Sequence, residues 1–338
     1  MNKVELEFAP GLWIEFTNRD RALKEVEKWA EKSTWRPVVV FGPEGCGKTA
    51  LLLQASAMLR ELGFEVFYLH PLGRKFEAEV DLPDLKSEFM RFVERALSEN
   101  ALGRITWAAV DFIRRLQKAR QGKIAVIADD VFQAIGLDVA AAYVKALLNL
   151  IEHPESRYEK IIVLVATSEG VSRREIGRHR WAHLAPMWNM SMEGFRQLYD
   201  RIPGPKPPFE EVWRWTGGNP DMLRRLYEAG WNVDKVVTAV TKEKILPPPF
   251  AAKWRNWLEL AVEDPDALWN PEAPEELINA LEEKNLIIYN MYDRDPYFWV
   301  DQPPPERDLE LGIGKNMAWQ TPIHREAVRR ALRDAASS

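Results

Sequence analysis

Short, nearly unbroken apolar runs alternate with helical periodicity through the first half of the chain. Residues 36–41, 63–69, 123–128 and 161–166 are such runs, rich in Val, Ile and Phe. Runs of this kind predict strands buried on both faces of a parallel sheet. Between them, apolar positions at helical spacing predict helices at 50–55, 85–97, 105–118 and 139–151. Residues 181–184 read as a short fifth strand. The alternation of strand and helix is what a parallel α/β sheet requires.

The pattern changes beyond residue 190. Two proline clusters punctuate it, Ile202-Pro203-Gly204-Pro205-Lys206-Pro207-Pro208-Phe209 and Leu246-Pro247-Pro248-Pro249-Phe250. The first cannot be regular helix, and the second reads as a stiff connector of polyproline type. They divide the chain into 1–190, a helical part at 191–246 with helices near 209–215 and 220–229, and a C-terminal part at 250–338. In that last part 274–284 is helical, with Leu277, Ile278 and Leu281 on one face. Two β-like runs follow, 286–292 and 297–300, joined through Asp293-Arg294-Asp295-Pro296, and a closing helix covers 323–333. Helix, hairpin and closing helix predict a winged-helix-like unit.

Composition places 46% hydrophobic and 29% charged residues in 338, which fits a globular protein of two or three domains. No apolar run approaches the roughly 18 residues of a membrane span. The N-terminus lacks an apolar signal core, and Cys46 is the single cysteine. A reducing, cytoplasmic setting is therefore expected, with no membrane partner. Charge is uneven: residues 251–338 carry 10 Lys/Arg against 17 Asp/Glu, a net of −7, while the remainder carries +2. An acidic C-terminal part is a poor match for duplex DNA.

Chemistry concentrates where the first buried run ends. Gly42-Pro43-Glu44-Gly45-Cys46-Gly47-Lys48-Thr49 is a complete G-x-x-x-x-G-K-[ST] P-loop, followed by Ala50 at the start of a helix. Glycines let such a loop aim backbone N–H groups at phosphate oxygens, and the helix N-terminus adds its dipole. Lys48 is expected on the β- and γ-phosphates, and the Thr49 hydroxyl on Mg²⁺. ATP or ADP with Mg²⁺ is the expected ligand. Cys46 inside the loop reads as a small side chain, with oxidation as the alternative use.

The run at 124–128 ends in Asp129-Asp130, the Walker B form. Asp129 would reach Mg²⁺ beside the P-loop, and Asp130 would polarise the attacking water, unless the pair only caps the next helix. Asp130 is one methylene shorter than the Glu found in many hydrolases of this class. The run at 161–166 closes in Thr167-Ser168, a sensor 1 position facing the γ-phosphate or simply a hydroxyl-rich strand end. Arg173, Arg174, Arg178 and Arg180 follow as candidates for an arginine finger, Arg178 foremost, acting in cis or across a subunit interface. The competing reading is a solvated face.

Three further stretches resemble a family. Phe16-Thr17-Asn18-Arg19-Asp20-Arg21-Ala22-Leu23 resembles the F-x-x-R-x-x-E-L box of archaeal AAA+-like ATPases, with Ala22 in place of the acid. Gly177-Arg178 ahead of Leu184-Ala185-Pro186-Met187 is similar to their G-R and L-x-P-[LM] stretch. Thr216-Gly217-Gly218-Asn219-Pro220 resembles their T-G-G-N-P motif, the G-x-P element of STAND NTPases. The resemblance spans about residues 12–230. It implies an ASCE P-loop fold with sheet order 5-1-4-3-2, a helical lid and a C-terminal winged helix. It also implies that Arg19 and Pro220 lie near adenine. One departure is visible: relatives often open the lid helix with a sensor 2 arginine, whereas here Arg224 and Arg225 arrive a turn later.

Fourteen tryptophans are many, but Trp254 and Trp257 fall at core spacing and Trp213 and Trp215 flank the lid. His324 reads as a surface histidine, with a phosphate contact from a closed C-terminal part as the alternative. These readings converge on an ATP-binding switch with slow Mg²⁺-dependent hydrolysis and an unidentified protein partner, with self-association possible. The rival is a DNA-associated ATPase similar in plan to archaeal replication initiators.

Overall fold

Alternate side chains of the buried strands define two packed layers on a central sheet. In the computed structural model, which describes residues 2–167 and 170–337, a hairpin of β1 (Glu5–Ala9) and β2 (Leu12–Glu15) leads into α1 (Asp20–Lys32). Then come β3 (Val38–Phe41), α2 (Lys48–Glu61), β4 (Glu65–His70), β5 (Lys75–Glu79), α3 (Pro83–Ser98) and α4 (Leu102–Ala119). The sheet region closes with β6 (Lys123–Asp129), α5 (Val131–Ile135), α6 (Ala140–Glu152), β7 (Lys160–Thr167), α7 (Gly170–Gly177) and β8 (His183–Pro186). Spatial order is β5-β4-β6-β7-β3-β8, with every neighbouring pair parallel except β4 and β5. Val38 and Val40 pack toward α1 and α2, and Val39 toward the opposite layer of α3, α4 and α6. That split is the period-2 geometry of a strand covered on both faces.

The edge strand β5 was not anticipated, because Lys-Phe-Glu-Ala-Glu carries three charges. Its Phe76 and Ala78 nonetheless alternate inward against β4. Antiparallel pairing of a charged strand blunts that edge. The fifth parallel strand lies two residues later than its apolar cluster suggests.

Helices α8 (Met192–Asp200), α9 (Phe209–Thr216), α10 (Pro220–Glu228) and α11 (Val233–Glu243) make the second part. Helices α12 (Pro248–Lys253), α13 (Arg255–Glu263) and α14 (Glu275–Glu283), strands β9 (Ile287–Tyr289) and β10 (Met317–Trp319), and α15 (Pro322–Ser337) make the third. One apolar cluster runs through both, from Phe195, Leu223 and Val237 to Leu258, Trp319, Val328 and Leu332. Only Pro247 of the 246–250 cluster keeps a polyproline conformation (φ −72°, ψ 155°), since Pro248 and Pro249 start α12. Proline suits a first helical turn, where its missing N–H has no partner to lose.

The expected hairpin is corrected. Strand β9 pairs antiparallel with β10, not with 297–300. Asp293 Oδ1 accepts from Asp295 N at 2.7 Å, and Asp295 Oδ1 from Tyr297 N at 2.9 Å, so the two aspartates wind successive turns around Pro296. The segment 290–316 becomes an excursion that touches the sheet region. Val300 N donates to Pro186 O at 3.0 Å, and the Val300 side chain is buried in the α1–α2 layer. Among the described residues, no helix is long and apolar enough to cross a membrane.

Candidate active site

Strand register gathers the chemistry at one end of the sheet. Asp129 stands opposite Ala166, and Thr167 opposite Phe41, so β6, β7 and β3 end together beside the P-loop. Carboxyl ends of parallel strands are where open α/β sheets bind ligands. A cavity of about 650 Å³ opens there. Its lining combines the P-loop residues Gly45, Gly47, Lys48 and Thr49 with Asp130 and Gln133, and apolar side chains at Ile14, Phe16, Met190, Leu198 and Pro220.

The P-loop owes its shape to backbone freedom at two glycines. A side chain on Gly42 would lie 1.9 Å from Met187 O, and Gly45 sits at φ +74° with its position 2.4 Å from the Asp221 Cβ. The loop is thus pressed between the chain after β8 and the start of α10. Lys48 Nζ donates to Gly42 O and Pro43 O at 3.0 and 2.8 Å. Cys46 is fully buried, with Sγ 3.9 Å from Met187 O, as a small packing side chain should be.

Two carboxylates face this loop. Asp129 is 1% exposed, and burial pushes its carboxyl above the ordinary range against the opposing pull of His70, Thr49, Tyr68 and Lys48. Tyr68 Oη donates to Asp129 Oδ2 at 3.2 Å, and His70 Nδ1 lies 3.9 Å from the same oxygen. Asp129 Oδ1 is buried without a hydrogen-bond partner. Asp130 is the cap of α5 in a left-handed conformation (φ 48°, ψ 34°), which is strained for a residue with a Cβ. Burial, and then the neighbouring Asp129 charge, raise its pKa. Its Oδ1 is likewise buried and unpaired.

Other expected residues divide. Thr167 is fully buried at the strand end, whereas Ser168 lies outside the described residues. Arg19 and Pro220 both line the cavity, together with Glu44, Cys46 and Ala50. Gly42 and Pro43 shape the loop behind it. Arg178 is exposed, pairs with Glu175 at 3.2 Å, and is not on the cavity wall. Arg173 and Arg174 instead tie α7 to the C-terminal part: Arg173 donates to Tyr289 O and Asn290 O at 3.1 and 2.9 Å, and Arg174 to Asn279 Oδ1 at 3.0 Å. Arg224 does line the cavity, with its guanidinium on Asp221 and Glu228. His324 is corrected from the surface to 2% exposure, with Nδ1 2.8 Å from Thr321 Oγ1.

The outer side of the P-loop is clasped by the helical part at 191–246 and by the C-terminal part. Glu44 N donates to Gln320 Oε1 at 2.8 Å, Asn219 Nδ2 donates to Glu44 O at 2.8 Å, and Lys244 pairs with the Glu44 carboxylate at 2.6 Å. Asp221 N donates to Gly45 O at 3.3 Å, and Asn189 Nδ2 to Gln320 O at 2.9 Å. Gln320, Asn189 and Asp301 went unseen in the sequence, since nothing local distinguishes a polar residue that meets its partner more than a hundred positions away. Gln133, three residues after Asp130, and His70, the polar end of an apolar strand, did carry a local signal.

No curated protein matches the chain. Solved structures similar to it include AMPPCP-bound DnaA from Aquifex aeolicus (14% identity, TM-score 0.38, 77% of this chain and 81% of that one). Others are a RuvB variant of Thermotoga maritima (11%, 0.38, 81% and 90%) and the Aeropyrum pernix ORC1 protein in complex with DNA (15%, 0.36, 94% and 93%). A family described as an ATPase domain predominantly from Archaea matches residues 16–226, more than half of the sequence and the whole stretch from the Arg19 box through the P-loop and Asp129-Asp130 to Pro220. The chain therefore belongs to this family of ATPases.

Proposed function

We propose that the protein is an ATP-dependent switch of the STAND type, with a sheet domain at 1–190, a lid at 191–246 and a winged-helix-like part at 250–338. Mg²⁺-dependent hydrolysis is slow and serves to reset it. The observation that carries the reading is the clasp: Glu44 and Gly45 at the tip of the P-loop are hydrogen-bonded to Gln320, Asn219 and Asp221. A ligand that reorders the loop thereby acts on α10 and on the residues leading into α15. Differential contacts of this kind are what a nucleotide needs in order to shift a conformational equilibrium.

The apolar side chains lining the cavity suit a nucleobase, and the glycine-rich loop its phosphates, with Lys48 turning from Gly42 O and Pro43 O to phosphate oxygens. Buried, unpaired oxygens on Asp129 and Asp130 beside the Thr49 hydroxyl fit a divalent cation. Among the described residues no group of three or more His, Cys, Asp or Glu could hold a metal alone, which fits Mg²⁺ shared with phosphates. Thr49 and Asp129 would hold it, and when bound it would neutralise charge on the phosphates. Asp130, with a raised pKa and a place on the cavity wall, would take a proton from water. Its short side chain sits on a turn after β6, which supports low turnover. Thr167 would sense the γ-phosphate.

A DNA-associated role finds no support on α14, which bears Glu275, Glu276 and Glu283 on its exposed side. Calorimetry with ATP and Mg²⁺ tests the reading. Wild type should bind, and Lys48→Ala should lose tight binding, because the loop's own cation is gone. Equal affinity in the two proteins would defeat the assignment of this cavity.

A further inference from the structure

Arg19 is buried, charged and held in a left-handed conformation (φ 66°, ψ 26°) at the start of α1. Asn18 Oδ1 accepts from its N–H at 2.8 Å, fixing that backbone. Its guanidinium spans two parts of the molecule. Nη1 donates to Asp301 Oδ2 at 2.5 Å, and Nη2 to Cys46 O at 2.6 Å. The two side chains of the ion pair are 4% and 6% exposed. Asp301 lies in the 290–316 excursion, outside the region that matches the ATPase family.

The Cys46 carbonyl and the Gly47 N–H belong to one planar trans peptide and point in opposite directions. Gly47 sits at φ +100°, and Gly45, just before Cys46, at +74°. Gly47, on the N–H side of this peptide, has no Cβ to oppose a change of φ, so the peptide can turn over at lower steric cost than between two residues with side chains. Arg19 removes that freedom by holding the carbonyl, which aims the Gly47 N–H away from the guanidinium. The guanidinium is in turn held by Asp301, since a buried cation without its counter-ion would be strongly destabilised. The excursion is anchored where it delivers Asp301. Val300 N bonds to Pro186 O, Trp299 Nε1 donates to Asp293 O at 2.7 Å, the Trp299 ring stands edge-on to Trp188, and Arg21 donates to Pro296 O.

We propose that Asp301 is a positioning residue for nucleotide binding: through Arg19 it fixes the Cys46–Gly47 peptide with its N–H available to phosphate, so that nucleotide affinity and docking of the 290–316 excursion are coupled. The proposal rests on the cavity holding nucleotide phosphates as set out above. Coupling of this kind is reciprocal: whatever docking adds to nucleotide affinity, the nucleotide returns to docking.

Two measurements on the full chain test it. In the first, ATP affinity is measured by calorimetry for wild type, Asp301→Asn, Arg19→Met and the double variant. Asp301→Asn should weaken binding on the order of tenfold and should add nothing in the Arg19→Met background. An unchanged affinity, or an equal loss in both backgrounds, overturns the proposal. In the second, hydrogen exchange at the Val300 amide of wild type is followed with and without ATP, which needs no variant to fold. ATP should slow it by a comparable factor, and indifference to ATP overturns the proposal. Failure of wild type itself to bind ATP would instead remove the nucleotide reading on which this one stands.

Discussion

His324 makes stability below neutral pH a direct readout of how the C-terminal part packs on helices α10 and α11. It lies in the first turn of α15, 2% exposed, with its pKa lowered from 6.5 to about 3. Burial is the main cause, and the cations Lys244 and Arg225 add to it. Glu44, Asp221 and Glu243 border the same gap, so carboxylates are present but do not offset the two cations. The folded pKa lies below the unfolded one, so the unfolded chain takes up the proton first as pH falls. Stability is unaffected by this group above pH 6.5 and declines between there and about pH 3. The slope is about 1.4 kcal/mol per pH unit, so moving from pH 7 to pH 5 removes about 2 kcal/mol through His324 alone. Urea unfolding of wild type and His324→Gln at both pH values isolates it, because the other histidines are common to the two proteins. Wild type should lose about 2 kcal/mol more than the variant over that range. Parallel pH profiles would show that His324 is not held neutral in the folded state, and that α15 does not seal this gap as described.

Asp130→Asn should leave ATP binding intact and stop single-turnover hydrolysis, while Asp129→Asn should chiefly weaken Mg²⁺ dependence; exchanged behaviours would reverse the two roles. Gly45→Ala places a methyl carbon 2.4 Å from the Asp221 Cβ at φ +74°, and should lower the unfolding free energy by roughly 2 kcal/mol or more through left-handed strain and displacement of α10; an unchanged melting temperature would mean that α10 does not press on the loop. Duplex DNA at low ionic strength should show no binding to the full chain that weakens steeply with salt, and micromolar anisotropy binding with such a slope would favour the DNA-associated reading.

The strands that build the site were legible because apolar runs covered on both faces have no other soluble arrangement, and the P-loop because its glycines, Lys48 and Thr49 are contiguous. Asp129 and Asp130 were visible for the same reason: they terminate a strand whose neighbours the alternation of elements dictates. Local chemistry also misled where it had two solutions. The aspartates of 293–295 can end a strand or wind a turn around Pro296, and only the docking of Trp299 and Val300 on the sheet region selects the turn. Pro248 and Pro249 can extend a connector or begin a helix, and burial of Ala251 against the core beneath α15 selects the helix.

What the sequence alone determined is therefore the inner half of the site, where each residue's place follows from neighbours within a few positions. What only the tertiary structure decided is the outer half: Asp301 on Arg19, Gln320 on the Glu44 amide, and His324 buried between Lys244 and Arg225. Those partners are separated by 282 positions for Arg19 and Asp301 and by 276 for Glu44 and Gln320. No periodicity or motif reports a pairing at that range, because the free energy that selects it comes from the burial of whole elements against one another and not from the residues that meet.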